Sequence, residues 1–508
     1  MRELVLQAAS VAPDRPFLVA PDAGVTLTRR ELASAVESLR AQLRAAGLAP
    51  GDRAALLLSN GPNLVVALLA VMSSGASAVP LHPRLAPDEL DALVADAAPS
   101  LLISDERHRD VVPAATRERL ALLREPRLEP GNPLLAAPVT GHDASQTWRP
   151  AASGPPALIL FTSGTTGRPK GVPLGQGHLL ENARQVSLAH ALAPGDVALC
   201  VLPIFHVNGL VVTMLAPLLS GGTVVMPCRF EPDRFWALVA AHSVTWFSGV
   251  PTVLSALLAR PGPSPAVLRA LRFARSASAP LPVAVKREFE ARFGVPVVES
   301  LGMSEAAGQV TSNPLPPAPR KEGSVGVAFG NELRVVDDGA RPVATGTVGE
   351  VAIRGANVFA GYLGDVAPRS HRDGWFLTGD LGYLDDDGYL FLTGRRKELI
   401  NRAGEKIAPR EVEEVLHRRA EVQTACVVGV PDPLYGEEVV AFVQLRPGHA
   451  FDPDALVAFC RLHLARFKAP KRILRVDDWP RAPNGKLQRR FLVDLYNRLT
   501  EPQPRSSP

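Results

Sequence analysis

The chain has 508 residues, with 55 basic and 51 acidic side chains for a formal net charge of +4, and 46% of its residues are hydrophobic. A chain this long buries a core without a disulfide or metal staple, and its 41 Gly and 48 Pro, with the ordinary hydrophobic fraction, exclude wholesale disorder and collagen-like structure. The small charge excess excludes a generic nucleic-acid binder.

In chain order, the first half alternates helices and strands. Thr28-Arg29-Arg30-Glu31 has the form of a capping box and opens an amphipathic helix with Leu32, Val36, Leu39 and Leu43 on one face, closed by Gly47. A strand at 54–58, a helix at 63–72, a strand at 78–81, a helix at 87–95 and a strand at 101–104 follow. That alternation predicts parallel sheets covered by helices. Residues 126–156 read as a linker rich in Pro, Gly and Ala, and a second α/β stretch runs from 157 to about 314. From 323 to 393 short strands and Gly/Asp turns predict a β-rich subdomain, and from 395 to 508 mixed elements predict a small α+β domain. The division expected is thus 1–394 and 395–508.

The longest apolar run, Leu64–Met72, falls far short of the ~20 residues of a membrane helix. Glu3 and the early prolines do not read as a signal peptide. The four cysteines, at 200, 228, 426 and 460, form no CxxC pair. A reduced, cytoplasmic protein without membrane attachment is the expectation.

The sharpest local signal is Leu158-Ile159-Leu160-Phe161-Thr162-Ser163-Gly164-Thr165-Thr166-Gly167-Arg168-Pro169-Lys170-Gly171. A buried strand enters a turn of hydroxyls and glycines that ends in a lysine. Glycines let backbone N–H groups turn inward, hydroxyls add donors, and Lys170 adds charge, which together suit a phosphate. The GxxxxGK[ST] spacing of the P-loop is absent.

This stretch resembles the signature of the adenylate-forming superfamily of acyl-CoA synthetases, luciferases and adenylation domains. Further marks stand in the family's order: Pro203-Ile204-Phe205-His206, Leu301-Gly302-Met303-Ser304-Glu305, Thr378-Gly379-Asp380, Gly394-Arg395-Arg396-Lys397-Glu398 and Asn484-Gly485-Lys486. The resemblance implies an α/β fold: a large N-terminal domain of two α/β lobes with a β subdomain, and a small mobile C-terminal domain. It also implies ATP, Mg²⁺ and coenzyme A, and two half-reactions, acyl-AMP formation and its capture by a thiol.

The resemblance gives each matched residue a role. Lys486 bridges the carboxylate and the α-phosphate. Glu305 holds magnesium. Ser304 meets the α-phosphate. His206 sits beside the reacting carboxylate. Thr162, Ser163, Gly164, Thr165, Thr166 and Lys170 cradle phosphate. Ser278, Ala279 and Pro280 wall the adenine, with Leu301 where a stacking Tyr is usual and Gly302 beside it. Asp380 and Arg395 take the ribose. Lys397 is the hinge, and Gly404 lines the pantetheine tunnel, with Ala403 where a second Gly is common.

The acyl pocket implied comprises His206, Asn208, Gly249, Val250, Met303 and Gly308. No acid lies between Pro203 and Met214 to meet an ammonium, so an amino-acid substrate is not expected. Thr311-Ser312-Asn313-Pro314-Leu315-Pro316 looks like the matching stretch of oxalate–CoA ligases, which carry histidines where this chain has Asn208 and Gly308. Losing both imidazoles, with Gly308 opening space beside Met303, predicts a larger and less polar pocket and a medium or bulky apolar carboxylic acid. Oxalate or a small dicarboxylate stands as the alternative, as do a carrier protein or an amine in place of coenzyme A. The segment 466–491, with nine basic and two acidic residues, suits the phosphates of coenzyme A, with an ordinary solvated basic face or a nucleic-acid patch as the alternatives.

Overall fold

The computed structural model describes residues 1–112, 120–122, 155–162, 169–364, 370–479 and 489–500. Among them, the helices begin where the sequence supplies start signals. Thr28 and Glu31 close a reciprocal capping box at the head of Arg29–Ala45. Several prolines are placed in first helical turns, where the missing N–H costs nothing: Pro62, Pro87, Pro232, Pro251 and Pro409 all sit there.

Among the described residues the strands form four sheets. A six-stranded sheet runs, edge to edge, through Leu120–Leu122, Leu101–Ser104, Arg53–Leu57, Ser77–Leu81, Leu158–Thr162 and Lys170–Leu174. All its ladders are parallel except the last. A nine-stranded sheet runs through Val327–Ala328, Gly308–Ser312, Val297–Met303, Phe273–Ser276, Trp246–Gly249, Val197–Cys200, Thr223–Val225, Pro16–Ala20 and Val25–Thr28. An antiparallel sheet covers the region from Glu332 to Arg395, and a fourth sheet begins at Ile400–Arg402.

The two α/β lobes are therefore interleaved, which corrects the serial order expected from the sequence. Residues 158–174 complete the first sheet, while residues 16–28 form an edge of the second. Periodicity reports an element's type but not the sheet it joins. The N-terminal helix Arg2–Val11 and the strand pair behind that edge were not read from the sequence at all.

Leu64–Met72, the apolar run, is the fully covered helix Pro62–Ser73. An α-helix apolar on every side belongs inside a core. It shares one hydrophobic cluster with Ala54, Leu56 and Leu158 of the first sheet and Ala198, Phe273 and Val298 of the second. Among the described residues, no helix is long and apolar enough to cross a membrane.

Candidate functional site

The strand Leu158–Thr162 and its partner Lys170–Leu174 bracket the hydroxyl- and glycine-rich turn, with Thr162 opposite Lys170. Ser163, Gly164, Thr165 and Thr166 lie outside the described residues. Lys170 is exposed, and its Nζ stands 4.7 Å from the centre of the Tyr362 ring. Tyr362 Oη donates to Glu305 Oε1 at 2.8 Å. Two backbone bonds fix this line: Leu363 N–H to Gly171 O and Phe359 N–H to Glu305 O, each 2.8 Å. Segments far apart in sequence thereby bring a cation, a phenol and a carboxylate together.

Glu305 sits in the single turn Ser304–Ala306, which follows the strand Val297–Met303 directly. Gly302 lies against the backbone of the next strand, where a Cβ would stand 2.6 Å from Gly308 O. Leu301 is buried, and Ser304 is half-buried beside Glu305.

Asp380 and Arg395 face one another across the ladder between Trp375–Leu384 and Leu390–Arg395. Arg395 Nε donates to the buried Asp380 Oδ1 at 2.7 Å. The Asp380 charge, with smaller contributions from Glu398 and Glu305, holds the guanidinium above its ordinary pKa. The influence of Glu305 links this pair to the Lys170–Tyr362–Glu305 line.

The residues expected to line the acyl pocket are held differently. Asn208 begins a wide helical segment, Asn208–Leu215, of π type. Gly209 seats it hard against the preceding turn, since a Cβ there would meet Pro203 O at 2.2 Å. Asn208 Oδ1 accepts from Ser248 Oγ at 2.9 Å and from Arg275 Nη1 at 3.1 Å, and its Nδ2 donates to Ser278 Oγ at 3.2 Å. Ser278 has a left-handed φ of +74°, and Ala279 and Pro280 beyond it are exposed. Gly249 and Val250 are buried at the head of the helix Pro251–Leu258, and half-buried Met303 ends its strand. His206 is half-buried with its ring edge-on to Phe205.

Gly308 does not open the space expected of it. A Cβ there would stand 2.4 Å from Asn182 Oδ1, and its φ is +141°. Asn182 is itself fixed, accepting from Gln309 N–H at 3.0 Å and donating to Gln309 O at 2.7 Å. Asn208 is likewise committed to a polar network rather than to an apolar lining.

Beyond Arg395, Lys397 is exposed in the short turn Arg396–Glu398, between the third sheet and the fourth. Gly404 shares with Ala403 a tight turn between Ile400–Arg402 and Glu405–Ile407, with φ values of +91° and +51°. Its Cβ position is open. Lys486 lies outside the described residues.

Tyr362 and Arg275 went unnoticed in the sequence. Tyr362 is one of only five tyrosines, and that rarity was the available signal. Arg275 is the one charge in the fully buried strand Phe273–Ser276, and a buried strand carries a charge only for a reason.

Residues 5–363 match the model of the AMP-binding enzyme family, and residues 411–486 that of the AMP-binding enzyme C-terminal domain. The chain is 43% identical to the sulfoacetate–CoA ligase of Cupriavidus necator, with 97% of each covered. It is 37% identical to the oxalate–CoA ligase of Arabidopsis thaliana, over 97% of this chain and 98% of that one. The O-succinylbenzoate coenzyme A synthetase of Bacillus subtilis, solved in complex with ATP and magnesium ion, superposes with a TM-score of 0.81 at 29% identity, covering 96% of this chain and 98% of that one.

Proposed function

The chain belongs to the AMP-binding enzyme family and is an adenylate-forming acid–CoA ligase; we propose that its acid is small and that its two half-reactions use opposite faces of the C-terminal domain. A carboxylate oxygen attacks the α-phosphorus of ATP, pyrophosphate leaves, and the acyl adenylate forms. The thiol of coenzyme A then attacks the acyl carbon and AMP leaves.

The first step brings two anions together, so preorganised positive charge is its main requirement. Lys170 and Arg395 supply it from the large domain, and Lys486 from the small one. Asp380 accepts from the ribose hydroxyls. The turn at 162–166 and Ser304 contact phosphates, His206 flanks the carboxylate, and Leu301 with Ser278–Pro280 holds the adenine. Magnesium bound to a triphosphate needs only one or two protein carboxylates. Glu305 fits it, because Tyr362 takes one carboxylate oxygen and leaves the other for the ion. When bound, the ion neutralises charge on the phosphates. For the second step, rotation about Lys397 exchanges Lys486 for the Ala403–Gly404 turn. The boundary between the domains then falls at 394/395.

A single observation supports a small acid: the Asn182 oxygen occupies the notch that Gly308 leaves. The medium or bulky apolar acid is the second reading, favoured by the apolar Val250 and Met303. ATP–pyrophosphate exchange across acids from oxalate and propionate to an aromatic acid tests the choice. Coenzyme A, a carrier thiol or an amine is then added as acceptor. Exchange should peak at butyrate-sized acids or below and yield a thioester with coenzyme A. A peak at the aromatic acid would overturn the size assignment.

A further inference from the structure

Arg275 is 1% exposed, in the middle of the nine-stranded sheet. Burying a charge is costly unless it is paired. Elsewhere the fold meets that demand. Buried Lys286 has Glu299 at 2.9 Å, and buried Arg29 donates to the Gly221 and Gly222 carbonyls that end a helix.

Arg275 has no such arrangement. Its Nη1 donates to Asn208 Oδ1 and Ser248 Oγ, each at 3.1 Å, and its Nη2 to Gln309 Oε1 at 3.3 Å. All three acceptors are neutral. Its Nε has no hydrogen-bond partner, and among the described residues no carboxylate bonds it. The remaining ionisable neighbour, His190, is buried and bonded to the same Gln309 oxygen at 3.1 Å. Burial pushes the His190 ring down to about 3, so it is neutral and offers no compensation.

This cation sets the direction of one amide. Because Asn208 Oδ1 accepts from both Arg275 and Ser248, its Nδ2 must face the other way, towards Ser278 Oγ beside the adenine wall. Nδ2 carries two hydrogens, and Ser278 takes one. Asn208, at 7% exposed, is the outermost member of the network. Gly209 prevents the segment from retreating.

We propose that Asn208, oriented and polarised by the uncompensated Arg275, is the specificity residue for a second anionic group, carboxylate or sulfonate, on the acid being activated. The proposal rests on the small-acid reading above and names the class of small acid. An anion at the free Nδ2 hydrogen gains both a donor and the field of a desolvated guanidinium. An ammonium there is repelled, and an uncharged alkyl end leaves the donor unpaired. Arg275 does not touch the acid; it is a positioning residue acting through Asn208.

The test is Asn208→Asp, nearly isosteric and able to keep both bonds to Arg275 and Ser248. The new carboxylate neutralises Arg275 and replaces the donor by an acceptor. The readout is the ratio of kcat/KM for sulfoacetate, and for oxalate, over propionate, with the KM for ATP followed alongside. In the wild type the ratio should exceed about 100, a floor well below the roughly 10⁴–10⁵ by which a site built to bond a polar group rejects an analogue lacking it. In the variant it should fall by a similar factor, whatever the change in the KM for ATP that follows from losing the Asn208 donor to Ser278. A variant ratio within about threefold of the wild type's would overturn the role of Asn208. A wild type that prefers propionate or butyrate to both dianions would overturn the anion class and leave the small-acid reading standing, whatever the folding of the variant. Preference for an aromatic acid would remove the small-acid reading and this inference with it.

Discussion

On the nucleotide side of the site, Lys170 and Arg395 are exposed and are carried by strand ends. On the acyl side, Asn208, Ser248, Arg275, Gln309 and His190 are at most 7% exposed and bond mainly to one another. The contrast follows from what each side must meet. A triphosphate and its cation bring their own charges and are recognised by groups that reach out to them. A small acid of the kind proposed above would bring little surface, so the protein would have to hold its donors in place beforehand, and burial is what fixes them. Changes on the nucleotide side should therefore cost activity without stability, and changes on the acyl side should cost both.

The largest effect expected is on the nucleotide side. Lys486→Ala should slow acyl-adenylate formation by about 10²–10³-fold, the loss of one preorganised charge at a developing anion. It should spare thioester formation from supplied acyl adenylate and leave the thermal midpoint unchanged. The two half-reactions are assayed separately. Equal losses in both would mean that Lys486 serves the two steps alike and that no exchange of faces occurs at Lys397.

Next comes the acyl side. Gly308→Leu drives a Cβ into Asn182 Oδ1 at a φ that L side chains rarely adopt. Forcing volume into a filled site costs about 1–3 kcal/mol, so unfolding in urea should shift to lower denaturant along with any loss of activity. A variant with wild-type stability and altered acid preference would mean that Gly308 borders open volume after all, and the contrast between the two sides would weaken.

A pH series probes the same burial. Burial first, and the Arg275 charge second, lower the His190 pKa from about 6.5 to about 3. The folded state then binds fewer protons than the unfolded chain, so the contribution of His190 is complete above pH 6.5 and shrinks as the pH falls towards 3. By pH 5.5 the loss is about 1.4 kcal/mol. His190→Gln should flatten the dependence of the urea midpoint on pH between 7.5 and 5.5. An unchanged slope would mean that the ring already holds a proton in the fold.

The same contrast decides what the sequence could reveal. Lys170 ends a run whose composition suits a phosphate, and Glu305, Asp380 and Arg395 stand in short runs that resemble a family's motifs for cation and ribose. Helix starts were legible because caps and first-turn prolines act locally: the box at Thr28 and the strand Leu101–Ser104 fall where the pattern puts them. The acyl network was not legible, because its members meet only through the topology. Arg275 and Ser248 become neighbours by the parallel register of two strands, and Asn182 reaches Gly308 from a helix more than a hundred residues away. A glycine in a sequence looks like room, but only its neighbours decide whether the room exists. The interleaving of the two large sheets was hidden for the same reason.

The smallest effect should come from Tyr362→Phe, the change that separates the two sides most finely. It removes the 2.8 Å bond to Glu305 and keeps the ring beneath Lys170. A hydrogen bond of this kind contributes about 1 kcal/mol net, somewhat more when one partner is charged. At 1.4 kcal/mol per tenfold, the KM for ATP should rise roughly fivefold, or the magnesium required for half-maximal rate should rise by a similar factor. The ratio of kcat/KM between any two acids should stay constant, because this phenol bonds Glu305 and the Asn208 network bonds Ser248, Arg275 and Ser278. A shift in acid preference would show that the Glu305 carboxylate and the acyl floor are coupled, and that the two sides, separate in their construction, work as one unit.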